Sequence, residues 1–151
     1  FDANTSHVIP ALIRRFSDAK KEGKASITVW GSGKAKREFI YADDLADACV
    51  FLMNLSDEKY ENLLGSDESK TGKFDPPLVN IGVGEDVTIR ELAEAVKQVV
   101  GFEGDIVFDA TKPDGTPQKL MDVSKLTAAG WSSAVTMSVG LRRAYLDFRT
   151  K

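Results

Sequence analysis

Cysteine and histidine are almost absent from this sequence, with one of each among 151 residues. A single cysteine, Cys49, excludes an intramolecular disulfide and suits a reducing compartment, so we expect a cytoplasmic protein. One cysteine and one histidine, His7, are also too few for a Cys/His zinc site, and we expect no metal. Because Cys49 stands in the apolar run LADACVFLM, we predict that its side chain packs in the core.

Long apolar runs and a strong net charge are missing as well. No stretch approaches the roughly 20 apolar residues of a membrane-spanning helix, and the chain does not open on a signal-peptide pattern. The formal net charge is only -3, so the protein has no general basic surface. We therefore expect neither a membrane nor a nucleic acid as a partner.

The glycine pattern of a dinucleotide-binding fold is also lacking. The nearest candidates are GSG at 31–33 and GVGED at 82–86, and neither has the spacing G-x-G-x-x-G. Phosphate-binding loops of the type GxxxxGK[ST] are absent too. We expect no Rossmann domain within this chain.

What is present is an alternation of helical and strand patterns. An apolar content of 42% in 151 residues fits one domain. Helices are predicted over about 7–22 with Ser6 as N-cap, from the capping box of Thr88 and Glu91 to Gly101, and over 122–130 and 138–149. Strands are predicted over 26–30, 38–41, 78–81 and 105–108. The fold class is α/β, with short strands packed against helices.

Another helix is predicted after Tyr41, with Asp43 or Asp44 as its N-cap. Its buried face should consist of five residues at helical spacing, Leu45, Ala48, Cys49, Leu52 and Met53. The polar residues 56–75 that follow are predicted to form a surface loop.

The run WGSGKAKREFIYADD, from Trp30 to Asp44, mixes residue types that a plain core does not need. A flat ring ends a strand pattern, glycines follow it, and the cations Lys34, Lys36 and Arg37 come next. This composition favours binding of a small anion beside a ring. The alternatives are a core tryptophan and a solvated basic edge, and we prefer the solvated edge for Lys34, Lys36 and also Arg14.

Four segments in this order carry a family resemblance, namely NTSHVIPALIRRF, TVWGSGKAKREFIYADDLA, VNIGVGEDVTIRELAEAV and FDATKPDGTPQKLMDVSKL. Over essentially the whole chain they resemble the carboxyl-terminal half of the GDP-L-fucose synthase family of extended short-chain dehydrogenase/reductases. REFIYADD is shared by many nucleotide-sugar epimerases and dehydratases. SHVIPALIRR, VWGSG and KPDGTPQK are more specific to this family.

The resemblance implies a GDP-sugar-binding domain over residues 1–151. The family's NADPH-binding Rossmann domain and its Ser-Tyr-Lys catalytic set would lie upstream, since this sequence has no Tyr-x-x-x-Lys. The reaction implied is epimerisation on both sides of a sugar ketone, followed by reduction of the ketone by NADPH. The resemblance also implies a homodimer for the whole enzyme and no activity for this part alone.

The resemblance assigns roles to residues that match the family's motifs. His7 of SHVIP matches a catalytic acid/base that also contacts the cofactor, and an imidazole suits proton transfer near neutral pH. Arg15 and Arg37 match contacts to the diphosphate or its sugar, Trp30 matches a substrate contact, and Asp114 of KPDG matches a nucleotide contact. Lys119 is close enough in sequence to reach the same ligand.

Each of these residues has a plainer alternative. His7 suits an exposed first helical turn, and Asp114 suits an Asp-Gly turn. For the chain as a whole, the alternatives are another extended reductase, such as a nucleotide-sugar epimerase or dehydratase, and a non-catalytic nucleotide-binding or interaction module.

Overall fold

The computed structural model of the protein describes residues 7–64 and 77–150. These residues divide into two compact units. The first unit takes its described residues from 1–37, 86–119 and 136–151, and the second from 38–85 and 120–135. The length of the chain suggested one domain, whereas the described structure contains two units with separate buried residues.

The secondary structure alternates as an α/β chain should. In chain order the elements are α1 (Val8–Lys21), β1 (Ser26–Trp30), β2 (Lys36–Glu38), α2 (Ala42–Met53), α3 (Asp57–Leu64), β3 (Asp86–Thr88), α4 (Ile89–Val100), β4 (Asp105–Asp109), β5 (Gln118–Lys119), α5 (Ser124–Ala128) and α6 (Met137–Arg149). No helix in the described ranges has both the length and the hydropathy to cross a membrane.

The described strands form two small sheets. Strands β1 and β4 are parallel, and their register ends with Trp30 opposite Asp109. The other sheet has the order β3-β2-β5, in which β2 and β5 are parallel and Arg37 lies opposite Lys119. Two side chains that the sequence singled out, Trp30 and Lys119, lie at the ends of β1 and β5.

The first unit has the larger core. Helices α1, α4 and α6 pack against one another, and β1 alternates between exposed and buried residues as a half-buried strand does. The rings of Phe16 and Phe102 lie 5.6 Å apart at 59°. The buried apolar side chains include Leu12, Ile13, Phe16, Ile27, Val29, Leu92, Val96, Val100, Phe102 and Leu141.

The ends of α4 confirm the local sequence signals. The Thr88 hydroxyl accepts from the Glu91 N–H at 3.1 Å, and the Glu91 carboxylate accepts from the Thr88 N–H at 2.8 Å. Gly101 ends the helix at φ +69°, in the left-handed region that favours glycine. Helix α1 also forms as expected, but His7 occupies its N-cap position without a capping side-chain bond, and Ser6 lies outside the described residues.

The predicted cap of α2 is wrong. Tyr41 occupies the N-cap position, and its side chain makes no capping bond. Asp44 is buried and its carboxylate accepts from the Val135 N–H at 2.9 Å, while Asp47 accepts from the Trp131 indole at 2.8 Å. The acidic start of α2 therefore holds distant parts of the second unit together instead of capping the helix.

The buried face of α2 is also rotated from its predicted position. Cys49 is exposed, so its assignment to the core is wrong, and Met53 is 83% exposed. Because Asp44 turns inward to its backbone partner, the inner face runs through Asp44 and Ala48. Ala48 clusters with Leu126 and Trp131, and the partly buried residues packed around them are Ile40, Phe51, Leu52, Val79 and Ile81.

Three other boundaries differ from the sequence-based prediction. Residues 57–64 of the predicted loop form helix α3, because Ser56 bonds the N–H groups of the first turn and Leu63 is buried. The rest of that loop, residues 65–75, lies outside the described residues. Strand β2 lies over 36–38 instead of 38–41, and 78–81 forms no strand, since its apolar side chains join the Ala48 cluster and it has no ladder partner in the described chain.

One carboxylate holds the loops of the second unit. Glu38 Oε1 accepts from the N–H groups of Val83 at 2.5 Å and Gly84 at 2.7 Å, and Glu38 Oε2 accepts from the Met121 N–H at 3.0 Å. Gly82 has no room for a Cβ, because the Glu38 carboxylate fills that space. Three backbone donors that no helix or strand satisfies thus converge on one side chain.

We expect Glu38→Gln to destabilise the protein. The amide NH₂ cannot accept, so one or more of the three backbone N–H groups loses its partner at a cost of about 1–3 kcal/mol. Chemical denaturation at neutral pH measures this loss. The control is Glu85→Gln, an exposed neighbour in the same loop. Equal unfolding midpoints for the two variants would contradict the assignment.

Candidate functional site

The candidate site lies in the first unit, where strand β1 ends. Trp30 is on the exposed side of the strand, and 69% of its surface is accessible. The strand ends here because Gly31, at φ +86°, turns the chain. The Gly31 N–H donates to the Asp109 carbonyl at 2.9 Å. A large ring is thereby held in solvent at a fixed place, which is costly unless the ring contacts something else.

The turn at 112–116, which carries the KPDG motif, lies against the turn that follows Trp30. Asp114 accepts from the Ser32 N–H at 2.6 Å and from the Ser32 hydroxyl at 2.7 Å. Gly31 is required here, because a Cβ at this position would clash with the Asp114 carboxylate. The two hydrogen bonds from Ser32 join sequence motifs that are 82 residues apart.

The same turn also positions Arg37. Its Nη1 donates to the Thr116 carbonyl at 2.7 Å and to the Lys36 carbonyl at 2.6 Å. Arg37 and Lys119 lie opposite each other on the parallel strands β2 and β5, so their side chains leave the sheet on the same face. Arg37 and Asp114 therefore meet in the turn at 112–116, and the bonds from Ser32 bring Trp30 next to this turn. Lys119 lies opposite Arg37, three residues beyond the turn.

Arg15 lies on helix α1 of the same unit. Its Nη2 donates to the Thr28 carbonyl. Thr28 is two residues before Trp30 on β1 and shares its exposed face. The guanidinium of Arg15 is therefore attached to the strand that carries the exposed ring.

The structure does not join His7 to this group. His7 is exposed at the start of α1, eight positions before Arg15, or about 12 Å along the helix axis. Its side chain makes no capping hydrogen bond. The catalytic assignment of His7 stays a prediction.

Of the other three cations that the sequence singled out, two form ion pairs and one is exposed. Lys36 Nζ lies 3.6 Å from Asp86, whose side chain is 8% exposed, so Lys36 is half of an ion pair and not merely solvated. Arg14 lies 3.7 Å from Asp18 on α1. Lys34 is exposed, as expected.

The acidic groups near the turn are held in their ionised form. Two hydrogen bonds from Ser32 lower the pKa of Asp114 below its usual range, and the bond from the Ser32 hydroxyl has the larger effect on this pKa. Two from Thr111 lower the pKa of Asp109 in the same way. A charged acceptor strengthens each of these bonds. Across the described residues, no cluster of three or more histidine, cysteine or acidic side chains is arranged to hold a metal.

Sequence reasoning missed three residues at this site. Ser32 lies between two glycines, and its hydroxyl is the local signal that could have indicated a hydrogen bond. Lys112 has no such signal, yet its ammonium lies over the Trp30 ring, 5.8 Å from the centroid. Arg90 lies 3.8 Å over the Phe108 ring and donates to the Ser32 carbonyl at 3.2 Å, which no local pattern indicates.

Comparison with known proteins covers almost the whole chain. Residues 1–64 match the model of the NAD dependent epimerase/dehydratase family. The chain is 51% identical over 145 residues to GDP-L-fucose synthase 1 of Arabidopsis thaliana and 44% identical over 151 residues to GDP-L-fucose synthase of Escherichia coli (strain K12). These alignments cover 96% and 98% of this chain but only 40% and 44% of the two relatives.

A solved structure has the same fold over the same range. It is a GDP-mannoheptose C4 reductase from Campylobacter jejuni with NADP bound, 32% identical, with a TM-score of 0.80. The match covers 98% of this chain and 48% of the reductase. The predicted fold class, α/β with short strands packed against helices, is confirmed.

We expect the bonds from Ser32 to Asp114 to give the protein a measurable acid sensitivity. Because the pKa of Asp114 is lowered by folding, its contribution to stability is complete above the unfolded value of about 4 and is lost as the pH falls below that value. Asp114→Asn should therefore melt at a lower temperature than the wild type at pH 7. The difference between them should shrink as the pH falls below about 4.

Thermal unfolding followed by circular dichroism from pH 7 to pH 3 measures this difference. The other carboxylates with lowered pKa values act equally in both proteins and cancel. Asp105→Asn, on the exposed edge of β4, is the control and should match the wild type at every pH. A gap that stays constant across this range would contradict the role of the Asp114 charge.

Proposed function

We propose, for a chain that is homologous to the GDP-L-fucose synthases over almost its whole length, that it forms the GDP-sugar-binding part of such an enzyme. The observation that carries the proposal is the turn at 112–116, which gathers Trp30, Arg37 and Asp114 at one place. A flat ring, a guanidinium and a carboxylate are the groups that a base, a diphosphate and ribose hydroxyls require.

Arg37 is assigned to the diphosphate. Two backbone carbonyls hold its Nη1, so the guanidinium plane is set before a ligand arrives. An arginine has five N–H donors, and those not used by the carbonyls can bind phosphate oxygens at two points. Arg15, attached to Thr28, and Lys119, opposite Arg37, supply further positive charge.

Trp30 and Asp114 are assigned to the nucleoside and its attached sugar. The exposed indole offers a flat surface for stacking. Each carboxylate oxygen of Asp114 has more than one acceptor direction, so both can receive bonds from Ser32 and still accept from ligand N–H or O–H groups.

His7 is assigned as an acid/base. A ketone acidifies the protons on its two flanking carbons, and inversion at such a carbon needs proton removal on one face and proton delivery on the other. An exposed imidazole can exchange its proton near neutral pH. In such an enzyme NADPH supplies the hydride that reduces the ketone.

The dinucleotide itself does not fit this chain. The sequence has no G-x-G-x-x-G to hold a pyrophosphate, and His7 is the only residue that we assign beside the cofactor. We therefore assign most of the NADPH site to the part of the relatives that this chain does not match, which is more than half of their length. We therefore expect no reductase activity from the 151 residues alone. From the resemblance and the single cysteine we also propose that the whole enzyme is a cytoplasmic homodimer.

Binding of GDP to the full-length protein tests the diphosphate assignment. We expect Arg37→Ala to weaken GDP binding by about 10-fold or more, because one charge-assisted contact contributes about 1.5–3 kcal/mol. Isothermal titration calorimetry measures the affinity. Arg142→Ala, on the exposed side of α6, is the matched control and should bind GDP as the wild type does. Equal affinities for the two variants would remove Arg37 from the site.

Solvent deuterium exchange in the full-length protein tests the role of His7. We expect His7→Asn to suppress exchange at the carbons beside the ketone by at least 100-fold, because asparagine cannot transfer a proton. Binding of NADPH, followed by fluorescence, should change little. Normal exchange in the variant would exclude His7 as the acid/base, and no exchange in the wild type would indicate a GDP-sugar reductase that does not epimerise.

A further inference from the structure

Lys112 lies directly beside the strand end that carries Trp30. Its N–H donates to the Asp109 carbonyl at 3.1 Å, and the same carbonyl accepts from Gly31, the residue after Trp30. Pro113 follows Lys112 and restricts its backbone to extended conformations. The start of the lysine side chain is therefore fixed next to the ring by the backbone.

The charge of Lys112 is not neutralised by an ion pair. Within residues 7–64 and 77–150, no carboxylate lies at salt-bridge distance from its ammonium. The nearby Asp109 carboxylate accepts from the Thr111 N–H at 3.0 Å and from the Thr111 hydroxyl at 2.5 Å. Asp114 is similarly engaged by Ser32. The carboxylates of Asp109 and Asp114 are thus each held by a hydroxyl and an N–H group. Asp109 is near enough for the Lys112 charge to help lower its pKa, but the ammonium itself lies over the exposed ring.

An ammonium over an indole face is held loosely. When it is exposed to solvent, such a contact is weaker than a contact to a phosphate oxygen. A ligand that stacks on Trp30 and carries phosphates can therefore recruit this ammonium at little cost. A ligand without phosphates gains nothing from it.

We propose that Lys112 is a further anion-binding residue of the nucleotide site, one that distinguishes a nucleoside diphosphate from an uncharged nucleoside at the Trp30 ring. The proposal rests on the GDP-sugar assignment above. It adds a fourth cation to Arg15, Arg37 and Lys119. It also explains why the turn at 112–116 has a lysine two residues before Asp114.

Calorimetric titration of the full-length protein with GDP and with guanosine tests the proposal. Lys112→Gln should weaken GDP binding by about 5-fold and leave guanosine binding within twofold of the wild type. It should also lower the slope of log Kd for GDP against log salt, because one cation fewer meets the ligand. Lys112→Arg should retain GDP affinity, and Lys34→Gln, an exposed cation near the same turn, should be silent.

The possible outcomes distinguish a failure of the proposed function from a failure of the Lys112 assignment alone. A wild-type protein that binds no GDP overturns the proposed function and this inference with it. GDP binding that is normal in the wild type and unchanged in Lys112→Gln overturns this inference alone. Equal loss of GDP and guanosine in Lys112→Gln, or loss in Lys112→Arg as well, would indicate a role in shaping the turn and would also overturn it.

Discussion

The bonds from Ser32 to Asp114 are the interaction on which the candidate site depends. One carboxylate receives a backbone N–H and a hydroxyl from the turn after Trp30. Two residues after Asp114, the Thr116 carbonyl accepts a hydrogen bond from Arg37. These two bonds help to set the spacing between the exposed ring and the guanidinium, together with the bonds from Gly31 to the Asp109 carbonyl and from Arg90 to the Ser32 carbonyl. A diphosphate-linked ligand needs that spacing to be fixed in advance.

Two glycines make this close approach possible. Gly31 leaves room for the Asp114 carboxylate, and a Cβ on Gly33 would lie 2.6 Å from the Phe108 ring. The Arg90 guanidinium is stacked on the Phe108 ring and donates to the Ser32 carbonyl. The GSG turn thus resembles a phosphate-binding loop only in composition. Its glycines allow protein groups, not phosphates, to come near the backbone.

Charged groups have different uses in the two units. In the second unit Glu38, Asp44 and Asp47 bond backbone or indole N–H groups of loops that lie far away in sequence. In the first unit Asp109 and Asp114 bond hydroxyls of nearby turns, Arg15 and Arg37 bond backbone carbonyls, and Lys112 lies over the exposed ring. The carboxylates thus mainly organise loops, whereas these three cations are held by carbonyls or by a ring.

The sequence alone determined those features that act over three or four residues. The capping box of Thr88 and Glu91, the end of α4 at Gly101 and the strand at 26–30 follow from local bonding and side-chain shape. Motifs in the sequence also identified Trp30, Arg37 and Asp114. Only the tertiary structure decided that Ser32 meets Asp114, that Asp44 turns α2 so that Cys49 faces outward, and that Lys112 lies over Trp30. These contacts join residues tens of positions apart, and their partners are chosen by packing, which local patterns do not encode.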